Sequence, residues 1–223
     1  MAVAPPSLEE KHRNPSFTIE PLIAEYSHAA VDVWADAMRT HRKDYIEAFI
    51  AQKILEDMKD PYASYTTAPG LDQFWVALRG GQVVGTVAAI YRSAEDMSLP
   101  VPAGKAYLKN IKDADGNSIT KGVGEGVEPL WGPVGPRGEI AAMELVRMAV
   151  APSARGMGLA RLLTQTVAHH AEAHGCGWVV LSTGAEMDSA VRTYNGLGFN
   201  GYARSKSMVF AATPKQLLPT CEA

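Results

Sequence analysis

The chain has 223 residues, 47% hydrophobic and 20% charged, with a formal net charge of −3. That length can bury one sizeable core. The mildly acidic balance, with no basic run, argues against a nucleic-acid surface, and no stretch approaches the roughly 18 uninterrupted apolar residues of a membrane span.

Residues 1 to 15 are rich in proline and polar side chains and read as a loose leader. They lack the apolar run of a secretory signal, which points to the cytoplasm. SFTIEPLI alternates as a first strand, with Phe17 and Ile19 on one face. Glu25 to Met38 reads as a helix. Asp44 to Asp60 reads as a second, in which Ile46, Phe49, Ile50, Ile54 and Leu55 recur at helical spacing before Pro61 stops it. Glu56 and Asp57, closing that helix, read as solvated. FWVALRGGQVVGTVAAIY is a hairpin: two β-prone runs flank Arg79-Gly80-Gly81-Gln82. From about residue 92 to 137 the composition shifts to Gly, Pro, Asp, Asn and Lys. This insertion either folds over a substrate site or is a solvated excursion. Inside it, Asp113-Ala114-Asp115-Gly116-Asn117 reads as a polar turn, because the glutamate of a calcium loop is missing.

IAAMELVRMAV is a strand signal, and the helix that follows carries Leu159, Leu162, Leu163, Thr166 and Val167 as one stripe, with Gly175 as its cap. His169, His170 and His174 near its end read as C-terminal capping cations rather than metal ligands, so no metal is expected. Cys176 and Cys221 have no metal-like spacing and read as free thiols of a reducing compartment. WVVLST is a buried strand, MDSAVRTYNGLG a helix and SMVFAA a last strand, with Trp75 and Trp178 in the core. Residues 16 to 215 thus read as a single mixed α/β domain, and 216 to 223 as a tail. Strand–helix–strand order in the second half implies a right-handed parallel crossover.

Between the fourth strand and the third helix lies AVAPSARGMGLARLL, residues 149 to 163. Two glycines where a helix begins cost it roughly 1 kcal/mol each relative to alanine. In return, a glycine-rich turn exposes amides that have no intrahelical partner at the positive end of the helix dipole, which makes a site for a pyrophosphate. Arg155 and Arg161 can add charge. No Lys-Ser/Thr pair follows, which rules out the P-loop pattern. Arg161 stands where the dinucleotide-binding pattern has its third glycine.

Arg155-Gly156-Met157-Gly158-Leu159-Ala160 resembles the R/Q-x-x-G-x-G/A signature of the GNAT superfamily of acetyl-CoA-dependent N-acyltransferases. ELVRMAVAP upstream resembles the family's central strand. AVRTYNGLGF downstream resembles its A-x-x-x-Y-x-x-x-G-F element, with Ala190, Tyr194, Gly198 and Phe199 in register. The resemblance implies a mixed, mostly antiparallel α/β (α+β) sheet with one splayed parallel strand pair, flanked by helices. It implies acetyl-CoA as cosubstrate, its pantetheine paired with the main chain near Met148, Ala149 and Val150, where an amide can polarise the thioester carbonyl. It further implies a pyrophosphate on the amides of Gly156, Met157, Gly158, Leu159 and Ala160.

Glu144 matches the position that serves as general base, through water, in some family members, and Tyr194 the residue that protonates the departing thiolate. Glu144 shares a face with Met148 and Val150 if no bulge intervenes; otherwise it is a structural glutamate satisfied by Arg147 or by backbone. Tyr194 is alternatively a core tyrosine with a satisfied hydroxyl. Met187 departs from the family pattern, which often has asparagine there; Ser189 is a candidate replacement. The expected reaction is direct transfer to a primary amine, small molecule or peptide N-terminus or lysine, by a monomer or homodimer. A catalytically silent acyl-CoA sensor and a transferase with another acyl donor or a hydroxyl acceptor are the alternatives.

Overall fold

The computed structural model describes residues 17–40, 45–66, 70–94, 141–184, 187–204 and 207–219. The leader at 1 to 15, most of the insertion at 92 to 137 with its polar turn, and Cys221 lie outside the described residues.

Seven strands form one sheet: β1 (Thr18–Pro21), β2 (Gln73–Arg79), β3 (Gln82–Arg92), β4 (Ala142–Val150), β5 (Trp178–Gly184), β6 (Asn200–Arg204) and β7 (Ser207–Ala212), in the order β1-β2-β3-β4-β5-β7-β6. Every described pairing is antiparallel except β4 with β5. This is the mixed sheet with a parallel pair that the motif resemblance implied. The β2–β3 hairpin turns through Gly80 and Gly81 as its sequence requires. Arg92 belongs to β3, so the strand runs one residue into the segment read as insertion. β6 was not legible because NGYAR opens on a turn-like Asn-Gly.

Among the described residues the α-helices are α1 (Ser27–Arg39), α2 (Ile46–Leu55), α3 (Pro61–Tyr65), α4 (Leu159–Ala173), α5 (Asp188–Leu197) and α6 (Pro214–Leu217). The expected helix from Asp44 to Asp60 is the shorter α2, ending at Leu55, and a separate α3 follows from Pro61. Pro61 starts a helix rather than stopping one, because Asp60 caps it: its carboxylate accepts from the Ala63 amide at 3.0 Å and proline fits the first helical position. The buried side of α2 is Ile46, Ile50 and Lys53, while Ile54 and Leu55 are exposed.

Helices cover both faces of the sheet. On one face, Leu159, Leu163 and Val167 of α4 pack with Tyr194 of α5 on Met143, Leu145, Val179 and Phe210. Gly85 of β3 sits beneath the start of α4; a Cβ there would stand 2.9 Å from Leu159 Cδ2 and 3.3 Å from the Ala149 carbonyl, so a side chain would force Leu159 to shift. On the other face, Trp34 of α1, Ile46 and Ile50 of α2 and Tyr65 of α3 pack on Phe74, Val76, Ala88 and Ala149. Among the described residues no helix is long and apolar enough to cross a membrane. Among the same residues no three His, Cys, Asp or Glu side chains are grouped to hold a metal ion.

At the end of α4, His174 donates from Nδ1 to the His170 carbonyl at 2.8 Å, in keeping with a capping role. His170 donates from Nε2 to the Leu71 carbonyl at 2.9 Å and stands edge-on to Trp75. Its pKa lies below the ordinary histidine value, chiefly because burial disfavours the charged ring.

Candidate active site

β4 and β5 pair only from Ala142–Trp178 to Glu144–Val180, although both strands run on. The sheet therefore opens beyond Glu144. On its other edge β4 stays paired with β3 as far as Val150. The Ala151 amide donates to the Val84 carbonyl at 2.9 Å, so strand alternation turns the main chain of Val150 to the open side. There its carbonyl accepts from Arg155 Nε at 3.1 Å. The second guanidinium contact of Arg155 is to Thr40 Oγ1 at 3.4 Å.

The open edge leads into the start of α4. Gly156 and Gly158 have φ of +74° and +78°, and Gly158 is the N-cap residue. A side chain in this left-handed region costs roughly 1–2 kcal/mol, which accounts for both glycines. A Cβ at either would meet nothing within 4 Å, so the space before these amides is open. Among the described residues, no acceptor takes the amides of Gly156, Met157, Gly158, Leu159 or Ala160. Arg161 reaches back to the Gly196 carbonyl at 3.3 Å, and Arg79 lies 3.7 Å from the Met157 sulfur.

The register of β4 contains a bulge. Thr86 pairs with Ala149 and Ala88 with Val146, which leaves Arg147 and Met148 opposite Val87 alone. Arg147 has a φ of +54°. A bulge whose first residue is left-handed ordinarily puts glycine there, and arginine at this position carries strain of roughly 1–3 kcal/mol. Contacts on several sides hold it. Its Nε and Nη2 donate to the two Asp57 oxygens at 2.8 and 2.7 Å. Its guanidinium carbon lies 5.6 Å from the centre of the Trp34 ring. Its carbonyl accepts from the buried Thr86 hydroxyl at 2.8 Å.

This bulge corrects the expected position of Glu144. Met148 and Val150 pack toward α4, whereas Glu144 follows Ala142 and precedes Val146 on the opposite face. Glu144 is only 3% exposed, and Arg92 of the neighbouring strand donates to its Oε2 from Nε at 2.7 Å and from Nη2. Its ion partner is thus Arg92, not Arg147. Nothing in the local pattern could show this, because the pair is a diagonal neighbour across a ladder whose register includes the bulge.

Tyr194 is buried on the α4 face, edge-on to Phe199 with centroids 5.8 Å apart and 5.5 Å from Phe210. Burial raises its pKa above the ordinary phenol value. Its hydroxyl makes no hydrogen bond among the described residues, unlike the satisfied core tyrosine considered from sequence. Glu144 and Tyr194 therefore lie on opposite faces of the sheet. Met187 caps α5 and receives the Thr183 hydroxyl on its sulfur at 3.3 Å; Ser189 is exposed.

Asp57 is the residue that sequence reasoning misplaced. It is not solvated: besides Arg147 it accepts from the Tyr65 hydroxyl. Burial works to raise its pKa, but the Arg147 hydrogen bonds and charge, with Tyr65, outweigh that and hold the carboxyl below the usual range. Beside it, Lys53 pairs with Glu56. These residues wall a cavity of about 230 Å³ with Ser64 and Asp72, floored by Ile90 and Val146. Ile90 is the register partner of Glu144, so the cavity and Glu144 share a face.

A family model described as the acetyltransferase (GNAT) family matches residues 34–199. The chain belongs to the GNAT acetyltransferase family. N-acetyltransferase 8 of Mus musculus is 31% identical over 151 residues, covering 68% of this chain and 48% of that protein. N-acetyltransferase family 8 member 2 of Rattus norvegicus is 31% identical over 154 residues, again covering 68% of this chain and 48% of the relative. This GNAT chain thus spans about half the length of those relatives. The solved PaiA N-acetyltransferase of Thermoplasma acidophilum, in complex with coenzyme A, shares the fold. It has a TM-score of 0.62 at 11% identity, covering 89% of this chain and 99% of that one.

Proposed function

We propose that this GNAT chain is an acetyl-CoA-dependent N-acetyltransferase that transfers an acetyl group to a primary amine by direct attack in a ternary complex. One observation carries the reading. The β4–β5 opening runs into a helix start whose amides, from Gly156 to Ala160, have no acceptor among the described residues. Its shape suits an extended arm ending in a pyrophosphate, and the coenzyme A complex of the PaiA enzyme supports it.

Acetyl-CoA supplies an acetyl group activated as a thioester. Met148, Ala149 and Val150 would line its pantetheine and the amides from Gly156 to Ala160 its pyrophosphate, with Arg155 and Arg161 adding charge. Glu144 would take the proton from the incoming amine, directly or through water, and Tyr194 would give one to the departing sulfur. Their placement on opposite faces of the sheet supports this division, since amine and thiolate then need not compete for one side. Tyr194 keeps its proton across neutral pH, as an acid must.

The cavity on the Glu144 face supports entry of the amine from that side. Among its lining residues, Glu56, Asp57 and Asp72 outnumber Lys53 and Arg147, a balance that favours a cationic acceptor. The test is thiol release from acetyl-CoA across a panel of small amines, polyamines and lysine peptides, run beside thermal shifts with coenzyme A alone. Coenzyme A at about 100 times its dissociation constant should add about 2.7 kcal/mol. Stabilisation with no turnover on any amine would replace the enzyme with an acyl-CoA sensor, and no stabilisation would end the cofactor reading.

A further inference from the structure

The bulge in β4 raises a question that the reaction itself leaves open. Glycine takes a left-handed conformation freely, yet this chain places Arg147 there at a φ of +54°. The side chain that makes the position unfavourable is also the one that holds it. Its fork meets both oxygens of Asp57, just beyond the end of α2, at 2.7 and 2.8 Å. The charge-assisted, two-bond geometry fixes direction as well as distance. Its ring contact with Trp34 of α1 adds a second restraint, and the Thr86 hydroxyl fixes the carbonyl.

We infer that Asp57 and Arg147 are a positioning pair that holds the β4 bulge and thereby sets the strand edge offered to coenzyme A. Without the extra residue, every side chain on one side of the bulge would exchange faces. Met148 and Val150 pack toward α4 and Ala149 toward α1 only because the bulge lies before them. The same step decides which main-chain groups of Met148 to Val150 turn to the opening. Asp57 also walls the cavity on the Glu144 face, so one ion pair ties that wall to the cofactor edge. The inference rests on the reading that this edge receives coenzyme A.

The test uses calorimetric coenzyme A affinity at a temperature well below the melting point of each variant, so that global stability does not enter. Arg147→Ala and Arg147→Gly delete the same charge and differ chiefly in their tolerance of a left-handed backbone. The alanine variant should bind coenzyme A about tenfold more weakly than wild type, with the glycine variant recovering most of that loss. Asp57→Ala should weaken binding similarly, and Asp57→Ala/Arg147→Gly should rescue it. A role confined to stability would move melting points without this ranking of affinities. Equal affinity for the alanine and glycine variants, or tighter binding by alanine, overturns the positioning role even if Asp57→Ala fails to fold. Wild type that does not bind coenzyme A overturns the cofactor reading and this inference with it, whereas binding by wild type with no ranking overturns this inference alone.

Discussion

Glu144 and Met148 face opposite sides of the sheet, because the strand between them carries a bulge at Arg147. A regular strand would put both on one side. The carboxylate instead lies on the cavity side with Arg92, while the Met148 and Val150 side chains pack toward α4 on the other. A base on the acceptor side of a thioester can act on the amine without crossing the cofactor.

Glu144→Gln is the change that isolates this role. Glutamine keeps an acceptor for Arg92 but cannot take a proton at neutral pH. Turnover should fall by about 10²–10⁴-fold, the usual range for a lost general base. Coenzyme A affinity should change by no more than about threefold, because the carboxylate is held by Arg92, away from the Met148–Val150 main chain and the glycine turn proposed to bind the cofactor. Glu144→Ala is a poorer test, since it deletes the Arg92 ion pair and empties space at a position only 3% exposed, so a lost rate could come from a disturbed fold. Steady-state kinetics beside calorimetry decides the matter: undiminished turnover in Glu144→Gln would remove Glu144 as base.

Tyr194→Phe deletes one hydroxyl and leaves the ring between Phe199 and Phe210. That hydroxyl holds no partner among the described residues, so the variant should melt close to wild type. Its turnover should drop while coenzyme A affinity stays near normal. Burial raises the phenol pKa above its ordinary value of about 10. Loss of the proton therefore cannot limit turnover until pH exceeds about 10. A wild-type rate that already falls at pH 8 to 9 through a group abolished by Tyr194→Phe would contradict this.

Much of this was legible because the chemistry is local. Gly156 and Gly158 announce a helix start that gives up stability for exposed amides, and the alternation around IAAMELVRMAV announces the strand before it. What was not legible depends on contacts between distant segments. Asp57 reads as a solvated helix end until α2 is folded against β4, where Arg147 meets it. Arg92 reads as the edge of an insertion until the β3–β4 register sets it diagonal to Glu144. The bulge itself has no local mark, because its left-handed residue is an arginine and not the glycine that would have betrayed it.

Alkaline stability gives a prediction independent of catalysis. Cys176 is buried where α4 meets β5, and burial pushes its thiol from 9.0 up to about 11. A group whose pKa is raised on folding binds its proton more tightly in the native state. Its stabilising contribution is complete below the unfolded pKa and is lost as pH rises through the folded one. Between pH 9 and about 11 the melting temperature should therefore decline, and Cys176→Ala should decline less steeply over that window. Parallel slopes for the two proteins would show that the thiol is not responsible.

Gly158→Val tests the helix start directly. Its φ of +78° is one that valine adopts only under strain, yet a Cβ would meet no atom within 4 Å. The fold should survive, with a loss of roughly 1–3 kcal/mol from backbone strain. The branched side chain would instead occupy the open space before the amides of Gly158, Leu159 and Ala160, where the pyrophosphate is proposed to sit. Coenzyme A affinity should fall by more than the strain alone explains, and dephosphorylated pantetheine, which has no pyrophosphate, should lose little. Gly158→Ala should lie between valine and wild type. Calorimetry with both ligands separates the two effects: equal losses for coenzyme A and pantetheine would mean that the substitution distorts the strand edge, and that the amides are not the anion site.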